Sequence, residues 1–356
     1  MRGKVVVPWA ILLAAFLQQV AFSQTTVNPN ISFIGDFRLT DHNKAPDEVG
    51  ANKVQFDFHE LEINAESYLN PYARADVTLG LEDGETHIEE AYATLMRGLP
   101  MNLQVRAGKY LVDFGKLNSQ HAHQWSWIER PLMFKRFFGE EGLKGVGANV
   151  TTLVPIGNSA LNISGSLLQG DFLFPEEESE EAPPLAGNGR LSIFAPVSQY
   201  ANVDVGISAL RAQHDPINDR WTTMGDLDFK YKWKPGIYNS LLIVAEALVS
   251  SRKISPDSLD PASTKDVTSY GAFAAFDYQF RRQFDVGAFV DYSQSPLDEK
   301  DHLTGYGIFG GFAVAEETYR FGLLLRQDDG TGLNESYQTV ELQLLWSLGP
   351  HKPHQF

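Results

Sequence analysis

The sequence predicts an all-β protein, a transmembrane antiparallel β-barrel of about 16 strands. Three observations lead to this fold class. Apolar and charged residues alternate with a period of two in many short segments, and the connections between these segments alternate between short and long. After the N-terminal leader, no stretch is long and apolar enough for a membrane helix.

The composition agrees with many short strands that are rich in aromatic residues. Aromatic residues make up 12% of the chain and glycines number 30, while charged residues still reach 21%. The chain has no cysteine, which excludes a disulfide scaffold. Its formal net charge of −16 argues against nucleic acid as a partner.

The N-terminus has the pattern of a secretory signal peptide. Arg2 and Lys4 precede an apolar run that Pro8 interrupts and that small residues end. The alternative, a membrane-anchoring helix, fits poorly with this interruption. We therefore expect residues 1–23 to be a signal peptide and residues 24–356 to form one barrel domain in the lipid of the bacterial outer membrane.

Apolar and charged residues alternate clearly in the segment 226–230. Leu227 and Phe229 lie between Asp226, Asp228 and Lys230. The same pattern recurs in 73–81, 284–292 and 319–326. A period of two with charges on one face indicates half-buried strands. An ordinary β-sandwich produces this alternation too, so periodicity does not decide between the two folds.

The lengths of the connections favour the barrel. The short connections are 70–71, 98–100, 155–158, 196–198, 234–237, 280–282 and 315–317. The other set is 41–52, 109–144, 170–189, 212–219, 250–266, 294–301 and 327–335, together with the short 82–86. A transmembrane barrel has tight turns at one end and longer loops at the other, whereas a sandwich has no reason to sort its loops in this way.

These connections delimit the strands in chain order. The predicted strands are 31–40, 54–68, 73–82, 87–97, 102–109, 145–154, 159–169, 190–195, 200–211, 221–233, 238–250, 267–280, 283–293, 303–314, 318–326 and 336–348. Segment 190–195 is the least regular, and 14 strands is the alternative count. The parity of the pattern reverses between Phe58 and Leu61, which predicts a β-bulge there.

A barrel of this size is wide enough to hold an aqueous channel. The charged face is expected to line it, because an Arg or Lys that faces lipid at mid-bilayer costs about 2–4 kcal/mol. The predicted lumen-lining residues are Arg74, Asp76, Arg106, Asp226, Asp228, Lys230, Lys232, Asp277, Asp285, Asp291, Arg320 and Arg326. Their signs are mixed, which leaves charge selectivity open.

The segment 109–144 is too polar for a core and too aromatic for a linker. Its aromatic residues are expected to pack against the inner wall of the barrel, while its charged residues narrow the channel. The expected constriction residues are Lys109, Asp113, Lys116, His121, His123, Glu129, Arg130, Lys135 and Arg136. The alternative is an extracellular loop that lies over the mouth of the barrel.

His121 and His123 form a His-x-His pair inside this segment. A metal site needs further ligands, and the pattern offers none at a recognisable spacing. A solvated pair of loop histidines is the simpler interpretation, so the sequence predicts neither a metal site nor a cofactor.

Four short motifs flank or lie within the segment: Arg-Ala-Gly-Lys-Tyr at 106–110, Asp-Phe-Gly-Lys at 113–116, Ile-Glu-Arg-Pro at 128–131 and Gly-Val-Gly at 145–147. Together they resemble the phosphate-selective porin family and related uncharacterised outer-membrane porins. The resemblance implies a 16-stranded, often trimeric, passive channel with an inward-folded third loop. Phosphate selectivity does not carry over, because the sequence contains no ladder of Arg and Lys.

The expected function is therefore a porin, not an enzyme, that passes small polar or ionic solutes by passive diffusion. A homotrimer is a compatible assembly. One alternative is a structural or adhesin barrel. Another is an outer-membrane hydrolase that uses neighbouring Asp and His residues at the rim, for which the candidates are Asp41 with His42, His214 with Asp215, and Asp301 with His302. The chain has no G-x-S-x-G motif.

Overall fold

A computed structural model describes residues 29–42, 54–82, 84–170, 184–215, 218–255, 263–314, 318–331 and 336–350. The predicted signal peptide lies outside the described residues, as does the C-terminal tail 351–356. Among the described residues, no helix is both long and apolar enough to cross a lipid bilayer.

The described chain forms a closed barrel of 16 antiparallel strands. Each strand pairs with its neighbours in sequence, and β1 pairs with β16 to close the ring. The strands are β1 (Asn30–His42), β2 (Gln55–Asn70), β3 (Ala73–Glu82), β4 (Glu85–Leu95), β5 (Gln104–Leu111), β6 (Lys144–Ile156), β7 (Ser159–Gln169), β8 (Leu185–Ser198), β9 (Ala201–Asp215), β10 (Arg220–Trp233), β11 (Ser240–Ile254), β12 (Lys265–Phe280), β13 (Phe284–Gln294), β14 (His302–Ala313), β15 (Tyr319–Gly330) and β16 (Tyr337–Leu348).

The predicted fold class and the count of 16 strands are confirmed. The irregular segment 190–195 is the core of a longer strand, since β8 extends from Leu185 to Ser198. The segment between β5 and β6 is shorter than 109–144, because Lys109 lies in β5 and Lys144 begins β6. We call residues 112–143 the insertion.

The strands place their apolar residues on the outside of the ring. In β10, Leu227 is 58% exposed and Phe229 is also exposed, whereas Asp226, Asp228 and Lys230 are buried. A regular strand turns alternate side chains to opposite faces, so the sequence pattern fixes which side chains enter the lumen.

The described strand pairings shift register at five places, and two of these bulges, on β2 and β4, matter for the inner face. The pairing of β1 with β2 skips His59, because Asp36 lies opposite Glu60 and Phe37 lies opposite Phe58. This confirms the bulge that the change of parity predicts. A second bulge, which the pattern does not predict, lies at Glu89.

At the second bulge, Thr78 pairs with Glu90 and Leu79 pairs with Ile88, so that Glu89 is the extra residue. Both Glu89 and Glu90 are buried, whereas Ile88 is exposed on the outer face. The bulge therefore turns two consecutive carboxylates towards the lumen, which a regular strand cannot do.

The insertion crosses the inside of the ring. It contains a short 3-10 helix (Ala122–Gln124) and one α-helix, α1 (Leu132–Phe138), which packs against β12 and β13. In a ring of 16 strands, β13 lies eight places from β5 and therefore on the opposite wall. The insertion thus leaves one wall and reaches the other.

The apolar core of the molecule lies between the insertion and the inner wall. Its members from the insertion are Val112, Phe114, Leu117, Trp125, Trp127, Ile128, Met133, Phe134, Phe137 and Leu143. The wall contributes Tyr110, Leu168, Ala186, Leu210, Ala212, Met224, Val244, Leu248, Phe273, Ala275, Phe289, Phe309 and Leu324. Part of the lumen is therefore filled by packed side chains.

Deleting His59 is expected to leave the barrel able to fold, because this residue is the unpaired member of its bulge. Deleting Ala288, which pairs regularly on both sides, shifts the register by one and turns over the side chains on one side of the deletion. The fraction of chain that reaches the protease-resistant state in detergent micelles measures both effects. Equal folding of the two variants would contradict the assigned registers.

Candidate functional site

The insertion is held to the far wall by aromatic packing. Trp127 lies 5.2 Å from Phe273 and 6.4 Å from Phe309 between ring centroids, and it stacks on Trp125 at 6.1 Å. Phe273 in turn stacks on Phe289 at 5.9 Å. Full burial of one such side chain stabilises a fold by about 1.5–3 kcal/mol, so this contact fixes the middle of the insertion against β12–β14.

Carboxylates of the wall hold the backbone of the insertion. Glu246 accepts hydrogen bonds from the backbone N–H groups of Lys116 at 3.1 Å and Leu117 at 3.0 Å. Asp291 accepts one from the backbone of Leu132 at 2.8 Å. A buried backbone N–H needs such a partner, so these acids fix the path of the chain.

An ion-pair network ties the insertion to β1 and β16. Arg38 contacts Asp36 at 2.8 Å, Glu129 at 2.7 Å and Glu341 at 3.4 Å. Glu129 also contacts Lys135 at 2.5 Å. Burial alone would raise the pKa of Glu129, but Lys135 and Arg38 outweigh it and hold this pKa well below its usual range. Glu129 is therefore an anion at neutral and mildly acidic pH.

The other charged residues of the insertion also have partners. Lys116 contacts Asp204 at 2.7 Å, and Arg136 pairs with Asp301. The side chain of Asn188 donates to the backbone oxygen of Asp113 at 2.9 Å. Lys116, Glu129 and Arg136 of the expected constriction residues are thus paired outside the insertion, whereas Lys135 pairs within it, with Glu129 and Glu140. Lys109 is part of the wall.

Arg130 stacks over the ring of Trp125, with its guanidinium carbon 4.9 Å from the ring centroid. Burial lowers the pKa of Arg130 to about 10. The side chain remains a cation at neutral pH and lies among the insertion aromatics.

The twelve predicted lumen-lining residues are all buried or half-buried. Several of them bind the insertion: Asp291 as above, Asp277 by accepting from the Ser126 hydroxyl at 2.7 Å, and Arg320 by donating to the Ser126 carbonyl at 3.2 Å. Others pair along the wall: Arg74 with Asp76 at 3.0 Å, Asp228 with Arg190 at 2.5 Å, Asp285 with Arg320 at 2.8 Å and Arg326 with Asp328 at 2.7 Å.

The guanidinium of Arg106 lies over the ring of Tyr92 at 4.7 Å. Asp226 and Lys230 are buried on the inner face of β10, and Lys232 lines the cavity described next. Most of the predicted lumen-lining charges therefore lie in ion pairs or, for Arg106, over an aromatic ring.

A cavity of about 410 Å³ lies between the insertion and the short-turn end of the barrel. The insertion contributes His123, Trp125 and Ser126 to its lining. The charged residues of the wall around it are Lys232, Lys234, Asp277, Arg282, Asp285 and Arg320. Four cations and two carboxylates give this end of the lumen a local excess of positive charge.

A separate charged group lies where the insertion meets β2 and β4. His121 has Nδ1 at 3.3 Å from Glu62 and Nε2 at 3.1 Å from Glu90. His123 stacks on His121 at 5.7 Å and lies 3.2 Å from Glu62. Burial favours the neutral imidazole, but Glu62 and Glu90 outweigh it and raise the pKa of His121 to about 9.

The carboxylates of this group are absent from the residues that the sequence pattern predicts as functional. The signal that identifies Glu90 is the run His87-Ile88-Glu89-Glu90, which places two charges in succession within a strand. Such a run breaks the period of two, and a bulge is the structure that resolves it.

Comparison with known proteins gives one relative and several barrels of similar fold. The chain is 30% identical to an uncharacterised protein of Aquifex aeolicus over 392 aligned positions, which cover 94% of this chain and 81% of that protein. No protein-family model matches the sequence.

The structure superimposes on the anion-selective porin of Comamonas acidovorans with a TM-score of 0.60, at 10% identity, over 90% of this chain and 99% of that one. The outer-membrane channel DcaP of Acinetobacter baumannii gives a TM-score of 0.57 at 12% identity, over 90% and 97%. A loop-deletion mutant of OmpT of Vibrio cholerae gives 0.58 at 11% identity, over 90% and 100%. These likenesses show the fold.

The substitution Glu246→Ala removes the acceptor of two buried backbone N–H groups and is expected to loosen the start of the insertion. An unsatisfied buried donor costs about 1–3 kcal/mol, so the amide hydrogens of Lys116 and Leu117 should exchange about 5–150 times faster. The control Glu246→Gln keeps an accepting oxygen and should stay close to wild type. Unchanged exchange in Glu246→Ala would show that the insertion is held by other contacts.

Proposed function

The chain belongs to the same family as the uncharacterised Aquifex aeolicus protein, and we propose that it is an outer-membrane porin through which small polar or ionic solutes diffuse passively. The observation that carries this proposal is the combination of an apolar outer wall, a charged inner face and an insertion that crosses the lumen. The three barrels of similar fold, two of which are described as a porin and a channel, support it.

The outer surface supports a location in a lipid bilayer. Tyr270 and Phe280 lie ten residues apart on the exposed face of β12, with apolar or small side chains between them. At about 3.3 Å per residue and a tilt of about 40°, this spacing spans about 25 Å, the height of the apolar band of outer-membrane barrels. Aromatic residues at both edges of the band are typical of such barrels.

One of these edges is a row of rings beside the short turns. Phe280 stacks on Phe284 at 5.4 Å, and Phe284 lies 5.0 Å from Phe312. Tyr319 and Phe321 continue the row on β15 at 5.2 Å from each other. We assign this row to the membrane interface on the periplasmic side, because the short turns of outer-membrane barrels face the periplasm.

The insertion is proposed to be the constriction of the pore. It is fixed to the far wall by Trp127, to β11 by Glu246 and to β1 by the ion pair of Glu129 with Arg38. A segment held on several sides narrows the lumen permanently. The cavity of about 410 Å³ on its short-turn side is the proposed vestibule.

The apolar core between insertion and wall favours a second candidate function, a structural barrel that is closed to solutes. Packed aromatic side chains such as Phe134 and Phe309 exclude water from that part of the lumen. The two candidates differ in one observable property, because only the porin conducts ions across a bilayer.

A hydrolase is not proposed. His214 contacts the backbone oxygen of Lys253 at 3.0 Å and the hydroxyl of Thr222 at 2.9 Å, and His302 contacts the carbonyl of Lys300 at 3.2 Å. His42 contacts the hydroxyl of Thr339 at 2.9 Å. Among the described residues, none of these histidines forms the hydrogen bond to its neighbouring aspartate that a catalytic pair requires.

The proposed partners are outer-membrane lipid and the diffusing solutes. A homotrimer is part of the proposal, and its support is that one structure of the V. cholerae OmpT barrel is described in a trimer form. Nucleic acid is not a proposed partner of this acidic chain.

The proposed membrane location predicts that Val290→Arg and Leu297→Arg change the free energy of unfolding by different amounts. Val290, 59% exposed on β13, faces the proposed lipid, whereas Leu297, 55% exposed, lies in the connection after β13. Val290→Arg should lower the free energy of unfolding in lipid vesicles by about 2–4 kcal/mol, and Leu297→Arg should change it little. Equal costs at the two positions would contradict a lipid-facing outer wall.

Deleting residues 115–138 is expected to raise single-channel conductance in planar bilayers, because it removes the segment that narrows the lumen. Trp127→Ala, which removes one wall contact and keeps the chain intact, should give larger or noisier openings than wild type.

The wild-type chain itself should give discrete ion-permeable openings. A folded, inserted wild-type barrel without current would favour the closed structural barrel. Conductance that is unchanged by both variants would contradict the constriction.

A further inference from the structure

Three potential metal ligands meet on the inner wall at the edge of the insertion. They are Glu60 on β2 and His87 and Glu89 on β4, and one ligand atom from each lies within 4.8 Å of the others. None of them belongs to the residues that we assign to the constriction.

The backbone brings these side chains together in a specific way. Glu60 follows the bulge at His59, and Glu89 is itself the extra residue of the second bulge. Between their strands, β3 presents Gly80, which pairs with Glu62 on one side and His87 on the other. A Cβ atom at Gly80 would collide with both the His87 ring and the Glu60 carboxylate. The absence of a side chain at Gly80 therefore leaves the space in which the ligands converge.

We propose that Glu60, His87 and Glu89 bind one divalent transition-metal ion of the Zn²⁺ type. An imidazole nitrogen and two carboxylate oxygens form a donor set that suits such ions, and three protein ligands leave a position open for water or a solute. An ion that holds its ligands tetrahedrally at about 2.0–2.2 Å keeps them about 3.3–3.6 Å apart, so small rotations of the side chains complete the site.

The local charge favours a cation. Carboxylates outnumber the Lys and Arg cations in and beside the site, with Glu60, Glu62, Glu89, Glu90 and Glu141 against Lys109, Arg130 and Lys144. A divalent ion compensates this charge, whereas an anion would increase the repulsion.

The present contacts of the ligands are compatible with binding. His87 lies 2.9 Å from Glu89, and Lys144 contacts both Glu89 at 2.8 Å and Glu141 at 2.7 Å. Lys144 therefore keeps a carboxylate partner when an ion takes its place on Glu89. No described residue donates a hydrogen bond to Glu60. Both Glu60 and His87 are half-buried, which leaves the site reachable from the lumen.

The proposal depends on the folded barrel and not on porin activity, so the two can fail independently. The test is isothermal titration of ZnCl₂ into the tag-free chain, folded in detergent and freed of metal with a chelator. One ion per chain is expected to bind. His87→Ala and Glu60→Gln should each weaken binding by at least about 100-fold, since even loss of a group that only supports a metal ligand costs 10–100-fold.

His302→Ala is the matched control, because it removes a histidine from β14, far from the site in the ring, and should bind like wild type. A second control, His351→Gln with His354→Gln, accounts for the histidines of the C-terminal tail. Circular dichroism shows whether each variant folds. Because Glu60→Gln keeps the shape of the side chain, it tests the site even if His87→Ala does not fold.

Absence of saturable Zn²⁺ binding to wild type would overturn the proposal. Equal binding by wild type and Glu60→Gln would do so as well. Competition by Mg²⁺ at the same concentration as Zn²⁺ would overturn the assignment to transition metals, because Mg²⁺ prefers oxygen ligands alone.

Discussion

The structure depends on the closure of one hydrogen-bonded sheet by the pairing of β1 with β16. The ladder from Phe33 opposite Leu348 to His42 opposite Thr339 leaves no free strand edge among the described strands. In lipid, an unpaired backbone group costs several kcal/mol, so a spanning sheet has to close. Closure also gives the sheet an outer face and an inner face. Since successive side chains of a strand point to opposite faces, a residue of a regular strand lies either on the outside or in the lumen.

The insertion does not show the alternation of polar and apolar residues that is seen in the strands of the wall. On the wall, inward positions are mostly polar, but Phe273, Phe289 and Phe309 face inward and bury the rings of the insertion. The wall carboxylates then have a structural role beside any role in permeation, since Glu246 and Asp291 hold backbone N–H groups. Some of the inward charges in this barrel are thus anchors for the insertion.

The sequence contains most of the information on the wall and little on the inside. Strand number, the outward row of residues such as Leu227, and the bulge at His59 all follow from a local pattern with a period of two. The partners of Arg38 or Lys116 do not, because Glu129 is 91 residues away from the first and Asp204 is 88 residues away from the second. Long-range pairings of this kind leave no periodic signal.

The cluster of Glu60, His87 and Glu89 on β2 and β4 also could not be predicted from the sequence alone. The charges of Glu89 and Glu90 are visible in the sequence, but their common direction depends on a bulge whose position the neighbouring strand decides. The convergence with Glu60 across Gly80 needs the register of three strands at once. The sequence therefore predicts the residue types but not their meeting point.

The proposed sorting of side chains between lipid and water is tested most directly on one strand, with single cysteines in a chain that has none of its own. On β3, Arg74 lies on the inner face and Val77 on the exposed outer face. In barrels folded into vesicles, a charged, water-soluble thiol reagent should label Arg74→Cys, and brominated lipid should quench a fluorophore attached to Val77→Cys. Labelling of Val77→Cys by the water-soluble reagent, or lipid quenching at Arg74→Cys, would contradict the account.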